Sequence, residues 1–438
     1  MKFSIPCIMS LLVASLYNIV DQIFIGQGIG YLGNGATNVV FPITVIALSF
    51  ALFIGDGCAA YLSICQGKKD HKGASNSVGN AISLLVLVAV LFTLLLFVFK
   101  SAFLGAFGAT ENNYQYAIDY YEIIVIGIPF FIIANGLNSV IRADGNPKFA
   151  MISTLIGAII NVILDPIAIF ALGWGMKGAA LATIMGQIVT AFLALGYMRK
   201  PISFHLGKSD FLLKKKIISK TLPLGVSSFL TQLSIVVIMG VMNNMLVLHG
   251  ANSKYGADIP LTVVGIVMKV FQIVIAFVVG VAAGSQPIVG YNYGAGHFNR
   301  VREVYKKIIT IQCVIGIISM VLFECFPMKI ISIFGSESQL YNEYAVLAFR
   351  IFLAGILLCC IQKSTSIFLQ SLGKPAMSMG LSLLRDFILL VPLVLILANR
   401  YGVVGLLYSA PIADVIAMIF TVIMTTKVMQ ELKIKEDI

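Results

Sequence analysis

Long apolar runs, broken at regular intervals by short polar segments, dominate this chain. Val78 to Phe99 is a stretch of 22 residues without a charge, and a helix needs roughly 20 such residues to cross a bilayer. Comparable runs recur along the chain. They predict spans near 4–26, 39–64, 78–99, 119–141, 151–172, 178–198, 221–248, 260–287, 307–326, 343–369, 377–398 and 403–426. Glycine and proline clusters mark several ends, among them Gly145-Asn146-Pro147 and Gly373-Lys374-Pro375. A transmembrane barrel would instead alternate polar and apolar positions over about ten residues. The predicted fold class is therefore an all-α polytopic membrane protein with twelve transmembrane helices.

Composition sharpens this reading. The 438 residues are 59% hydrophobic and only 11% charged, with a mean hydropathy of +0.97. Soluble domains carry about a quarter charged residues. The net charge of +11 would also suit a nucleic-acid partner, so its distribution decides. Of the 30 Lys and Arg, 21 fall on one set of alternate loops and the tails, five on the other set, and four within spans. The basic side is expected to be cytoplasmic, with both termini there. Membrane orientation and anionic lipid account for the charge, so no nucleic-acid partner is expected. Only Lys2 precedes the first span, and no clear cleavage site follows it, so that span reads as retained. The seven cysteines all fall in apolar segments without metal spacing and read as small core residues.

The chain also repeats itself. Gly57, Gly67, Gly108 and Gly175 recur as Gly284, Gly294, Gly335 and Gly402, each 227 residues on; Gly145 and Pro147 recur as Gly373 and Pro375 at 228. Pro6 recurs as Pro223, at 217, and a longer outer loop around His249 to Asp258 absorbs the difference. Six spans per half insert both halves in the same direction, so two pseudo-symmetric six-helix lobes are expected. They are an N-terminal lobe over 1–200, a basic linker over 201–220, a C-terminal lobe over 221–426 and a tail over 427–438. Parallel repeats of this kind are a plan found among transporters, with the substrate between the halves.

Charges inside the spans are the candidate chemistry, because an acid in lipid is costly. Asp21 lies late in the first span with Asn18 and Gln22 one turn either side of it. Asp165 in the fifth span follows Asn161 by four residues and precedes Pro166, which removes a backbone donor. Thr183 in the sixth span adds a hydroxyl. Two carboxylates, an amide and a hydroxyl are hard oxygen ligands that suit Na⁺ or a proton. Interhelical hydrogen bonding is the alternative role for the two acids. Asp56, between Gly55 and Gly57, is a candidate for the substrate cavity. Arg385 and Asp386 are adjacent, so they should point apart on a helix, with one facing the inter-lobe space. Lys269, Arg350 and Lys363 give the second half a basic interior, and Asp414 is the only charge in the twelfth span.

Several stretches resemble the multidrug and toxic compound extrusion (MATE) family. They are Leu16-Tyr17-Asn18-Ile19-Val20-Asp21-Gln22-Ile23-Phe24-Ile25-Gly26, Ile141-Arg142-Ala143-Asp144-Gly145-Asn146-Pro147, Gly175-Met176-Lys177-Gly178-Ala179-Ala180-Leu181-Ala182-Thr183, and Gln286-Pro287-Ile288-Val289-Gly290-Tyr291-Asn292-Tyr293-Gly294-Ala295-Gly296. The likeness covers essentially the whole chain. It is nearest the bacterial MepA-like group, with a DinF-like cation site in the N-terminal lobe. The resemblance implies a MATE-type (MOP) fold and a non-enzymatic role as a secondary active multidrug exporter. Such a protein antiports amphiphilic, often cationic compounds against H⁺ or Na⁺ by alternating access. It also implies that Asp21, Asn161, Asp165 and Thr183 bind the coupling ion, with no other cofactor, in the bacterial cytoplasmic membrane. The seventh span, Thr221 to Leu248, has no acid, which argues against the NorM-like branch with its C-lobe acid. Two lobes in one chain form a complete path, so a monomer should suffice, with lipid and small-molecule substrates as its partners. A lipid-linked oligosaccharide flippase of the same superfamily is the alternative, kept open by Lys269, Lys363 and Arg385. A major-facilitator transporter lacks support in the loop Gln66 to Lys72, and no nucleotide, prenyl-diphosphate or zinc motif points to an enzyme.

Overall fold

The computed structural model describes residues 3–107, 114–256, 258–334 and 339–436. All regular structure among them is helical. In chain order the long helices are α1 (Ser4–Gly28), α2 (Tyr31–Gly67), α3 (His71–Val98), α4 (Tyr114–Ala143), α5 (Pro147–Ala171) and α6 (Gly175–Tyr197). The second half has α7 (Lys215–Gly250), α8 (Asp258–Gly294), α9 (Phe298–Cys325), α10 (Gln339–Phe352 with Ile356–Ser371), α11 (Pro375–Leu407) and α12 (Ser409–Glu436). Eleven are long and apolar enough to span a membrane; α10 is the twelfth, bent by 46° between its two segments. Local chemistry sets the boundaries. The Asp70 carboxylate accepts from the Gly73 N–H at 2.8 Å and caps α3. Asn146 does the same for α5 through Phe149, with Pro147 opening the first turn.

The glycines of the internal repeat perform equivalent tasks in the two halves. Gly145 and Gly373 both take the left-handed backbone, φ 95° and 72°, at the turns that end α4 and α10. Gly175 and Gly402 do likewise at the first residue of α6 and within the last turns of α11, φ 53° and 66°. Gly108 and Gly335 lie outside the described residues. Short helices at Lys100–Ala106 and Pro327–Phe334 follow α3 and α9 and extend the repeat. The buried residues form one apolar cluster from Ile25 to Phe204, a second from Ile238 to Ala413 and a smaller third from Val289 to Leu432. Each half therefore packs on its own core. The segment after α6 is fastened to the first half. Asp144 accepts hydrogen bonds from the Tyr197 hydroxyl and from the Ile202 and Ser203 amides at 2.7–2.9 Å. Further on, Asn80 donates to the Asp210 and Leu212 carbonyls and accepts from the Lys214 amide.

The halves meet at the end that carries the basic loops. There α2 packs against α7 and α8, and α1 against α8. Backbones touch because side chains are absent. A Cβ at Gly225 of α7 would overlap the Phe53 carbonyl of α2, and one at Gly67 or Gly294 would strike the opposite helix. Phe229 of α7 fills the next layer against Phe50 and Phe53, ring centroids 5.4–5.5 Å apart. Along α8, away from this end, Gln286, Ala283 and Val279 line a central cavity. The same helical stripe continues through Gln272, Lys269 and Gly265, all three exposed. The lobes are thus sealed at the basic end and parted toward the other.

Candidate cation site and central cavity

Helices α1, α4, α5 and α6 build the candidate site. Gly157 of α5 and Gly186 of α6 let those two backbones approach closely; a Cβ on either would meet the other's carbonyl oxygen. One turn further along α5, Asn161 faces α6 and its side-chain amide donates to the Thr183 hydroxyl at 3.4 Å. Another turn brings Asp165 onto the same face. Pro166 then supplies no N–H, and the helix continues as a π-helical turn over Ile167–Ala171. Asp21 of α1 stands opposite, close enough for its carboxyl and that of Asp165 to act on each other.

Asp165 is fully buried (0% exposed), Asn161 2% and Asp21 7%. Both carboxylate oxygens of Asp165, the Asp21 Oδ1 and the Asn161 Oδ1 accept no hydrogen bond. No Lys or Arg forms a salt bridge with either acid among the described residues. Two buried carboxyls in contact cannot both stay charged and bare, so they call for a proton or a small cation. The donor set is carboxylate, amide and hydroxyl oxygen, which fits Na⁺ as well as H⁺. Among the described residues no group of three or more His, Cys, Asp or Glu is placed to hold a metal ion. Two tyrosines complete the surroundings. Tyr17 of α1 and Tyr120 of α4 lie within electrostatic reach of both acids, Tyr120 beside Thr183. Sequence reasoning passed over both. Tyr17 stands four residues before Asp21 and could have been found by helical spacing; Tyr120 is brought in by packing alone.

A cavity of about 340 Å³ lies between the lobes. Asn161 and Thr183 belong to both cavity wall and cation site, and the two acids sit directly behind them. Asn18 lines the cavity, and so does Asp56 at its floor. Asp56 accepts from Ser139 at 2.6 Å and, across the lobe boundary, from Ser228 at 2.8 Å, with Arg142 at 3.8 Å. Three other expected positions differ. Gln22 lies one turn beyond Asn18, past the cavity's end, and does not line it. Arg385 and Asp386 do not line it either; they are 6% and 2% exposed within the second lobe. Nor do they point apart. Arg385 Nη1 donates to Asp386 Oδ1 at 2.9 Å, because this stretch, Leu384–Leu390, is π-helical and the long guanidinium arm folds back to its neighbour. Arg385 Nε also reaches Asp414 at 2.9 Å, and Lys363 Nζ reaches Asp386 at 2.6 Å. Lys363 is the member of this chain that touches the cavity.

Two parallel six-helix lobes around a polar-lined cavity, with bare buried acids at its side, define a secondary transporter of the parallel-repeat class. The MatE family profile matches residues 6–167 and again 225–396, once in each lobe. The chain belongs to this family. It is 25% identical to the multidrug export protein MepA of Staphylococcus aureus (strain N315), over 94% of this chain and 90% of that protein. It is 27% identical to the MepA of Staphylococcus haemolyticus (strain JCSC1435), over 95% and 90%. Among solved structures it resembles the MATE multidrug transporter DinF-BH. That match has a TM-score of 0.90 and 32% identity, covering 97% of this chain and 94% of the other.

Proposed function

We propose that this chain is a multidrug efflux transporter that expels amphiphilic compounds in exchange for H⁺ or Na⁺ by alternating access. The observation that carries the coupling is the bare oxygen set of Asp21, Asn161 and Asp165 immediately behind the cavity wall. A cation arriving there offsets one of the two negative charges, bridges the acids and draws α1 toward α5. Asn161 and Thr183 then move with the site and reshape the wall that a substrate touches. Ion and substrate disfavour each other through these shared residues, which is the negative coupling an exchanger needs. In the conformation described, the substrate path is shut at the basic end by the α2–α7–α8 contacts and open at the other. The positive-inside rule makes the shut end cytoplasmic, so this is the state that releases drug and admits the ion. The bacterial relatives support the cytoplasmic membrane as its location. Both lobes lie in one chain, so a single copy supplies the whole path.

The flippase alternative loses its footing. Arg385 is committed to Asp386 and Asp414 inside the lobe, which leaves fewer cations for a lipid pyrophosphate than the sequence suggested. The deciding experiment is ethidium efflux from vesicles under a pH gradient and, separately, a Na⁺ gradient. Wild type should respond to at least one, and Asp165→Asn to neither while inserting normally. Full efflux by Asp165→Asn would remove the coupling site, and no wild-type efflux under either gradient would remove the exporter.

A further inference from the structure

Between Arg199 and Lys220 the chain crosses from one lobe to the other. Seven Lys and Arg stand in this stretch against one acid, Asp210. Three consecutive apolar residues interrupt them. Phe211, Leu212 and Leu213 are 40%, 66% and 48% exposed, and apolar residues left exposed side by side ask for a partner.

Their exposure follows from how the backbone is held. Asn76, Gly79, Asn80 and Ser83 form a stripe along one face of α3. The Asn80 amide donates to the Asp210 and Leu212 carbonyls, each at 3.0 Å, and the Ser83 hydroxyl donates to the Phe211 carbonyl at 2.7 Å. The Lys214 N–H donates to Asn80 Oδ1 at 2.6 Å, and its ammonium donates to Asn76. Gly79 makes the approach possible, because a Cβ there would overlap the Asp210 carbonyl. Three successive carbonyls are thus met by α3, which leaves the side chains of Phe211, Leu212 and Leu213 outside.

The strip also lies at a definite depth. The apolar run of α3 begins at Val78, so Asn80 and Ser83 are already inside it. Val86 and Leu87, one turn beyond Ser83, are 43% and 45% exposed and open the lipid-facing surface of that helix. Irregular backbone is tolerated at membrane depth only where its polar groups are satisfied by protein, and Asn80 and Ser83 do this here. The three apolar side chains carry the α3 surface on toward the headgroups. Lys208, Lys215 and Lys216 are exposed around them, and none forms an ion pair among the described residues. Asp210 is turned to the Gly207 N–H, at 2.9 Å.

We propose that the linker is a docking surface for an anionic phospholipid of the cytoplasmic leaflet. Lys208, Lys215 and Lys216 take the headgroup phosphate, and Phe211, Leu212 and Leu213 take the first part of the acyl chains. A soluble anion has no use for the apolar strip, and a soluble protein would find it already at the depth of the leaflet. Lys208 belongs to the part of the linker fastened to the first lobe, whereas Lys215 opens α7 of the second. One headgroup held by both therefore ties the lobes together where the chain joins them.

The test uses the purified full-length protein in a neutral detergent. Dioleoyl phosphatidylglycerol and dioleoyl phosphatidylcholine are titrated separately, and bound lipid is counted by native mass spectrometry. Wild type should bind the phosphatidylglycerol more tightly. Each lysine neutralised should cost about fivefold, the ratio that about 1 kcal/mol per Lys near an anionic surface produces. The triple variant Lys208→Gln, Lys215→Gln, Lys216→Gln should therefore lose the preference. Neutralising Arg300, Lys306 and Lys307 removes as much charge from α9 at the same basic end and should leave it. The pair Leu212→Ser, Leu213→Ser should weaken binding of both lipids several-fold. All of these side chains are exposed, so thermal midpoints without lipid should match wild type. Equal affinity for the two lipids overturns the proposal, and so does an equal loss in the α9 variant, which would mean diffuse attraction. Glycerol 1-phosphate that displaces the phosphatidylglycerol at equal concentration also overturns it, since the surface would then bind a free anion.

Discussion

Each lobe sets a pair of aspartates within its spans, apart from Asp144 at the turn after α4, and the lobes treat these pairs in opposite ways. In the N-terminal lobe Asp21 and Asp165 face each other with oxygens that accept nothing. In the C-terminal lobe Asp386 and Asp414 are held by Arg385 and Lys363. Equivalent architecture thus houses an unpartnered set of acceptors on one side and a closed ionic chain on the other. Charge left bare in a low-dielectric interior is expensive, so the first pair suits a group that comes and goes. The second suits a fixed charge pattern. In the exchanger proposed above, this asymmetry would give one lobe the ion and leave the other a fixed surface.

The largest effect should come from breaking the closed chain. Arg385→Met leaves Asp414 buried without a cation and Asp386 with Lys363 alone. Removing one partner of a buried pair costs about 3–5 kcal/mol. We expect the variant to lose most of its folded yield in detergent. Adding Asp414→Leu should restore much of it, since the uncompensated acid is then gone. A thermal midpoint for Arg385→Met equal to wild type would show that the chain contributes no stability and weaken the contrast between lobes.

Asp165→Asn should behave in the opposite manner. It removes one of two facing acids that no cation among the described residues compensates, so the thermal midpoint should hold or rise while gradient-driven efflux disappears. A fall in stability comparable to that of Arg385→Met would mean that the N-lobe pair is structural too.

The seal between the lobes ranks next. Gly225→Leu places a side chain where the Phe53 carbonyl lies, so the basic end cannot close as it does here. Efflux should fall several-fold. Cys7, which lines the cavity and is 3% exposed, should react faster with a thiol reagent in a variant that retains only that cysteine. Unchanged labelling would place the seal elsewhere.

Much of this was legible along the chain, for physical reasons. Spans are legible because lipid punishes charge over a fixed length. The repeat is legible because glycines at left-handed turns, Gly145 and Gly373, or at backbone contacts, Gly67 and Gly294, accept no other side chain. Asn161 and Asp165 could be put on one face because helical spacing does that locally. What stayed hidden depended on partners from distant helices. Nothing near Asp386 announces Lys363, 23 residues back. The π-helical turn that folds Arg385 onto its neighbour contradicts the rule for ordinary helices that adjacent side chains diverge. Helix ends also moved: α2 starts at Tyr31, and α8 runs to Gly294, several residues past the apolar run, where it packs on Ile64 and Gly67 of the other lobe.

The smallest effect should come from a pair that geometry alone would rank as high as any. Lys254 and Glu343 are 2.6 Å apart, the same distance as Lys363 and Asp386. Their side chains are 59% and 44% exposed, against 12% and 3% for the buried pair. The Glu343 carboxylate and the Tyr255 hydroxyl hold the Lys254 ammonium above its ordinary range. A raised lysine loses its stabilisation only as pH climbs past the folded value, and Glu343, held below its ordinary range by Lys254, loses its own only as acid protonates it, so the pair is intact at neutral pH. Water and salt screen the pair. Lys254→Met should therefore be silent in thermal unfolding at neutral pH, whereas Lys363→Met should register. A Lys254→Met variant as impaired as Lys363→Met would mean that distance, and not burial, sets the worth of an ion pair in this protein.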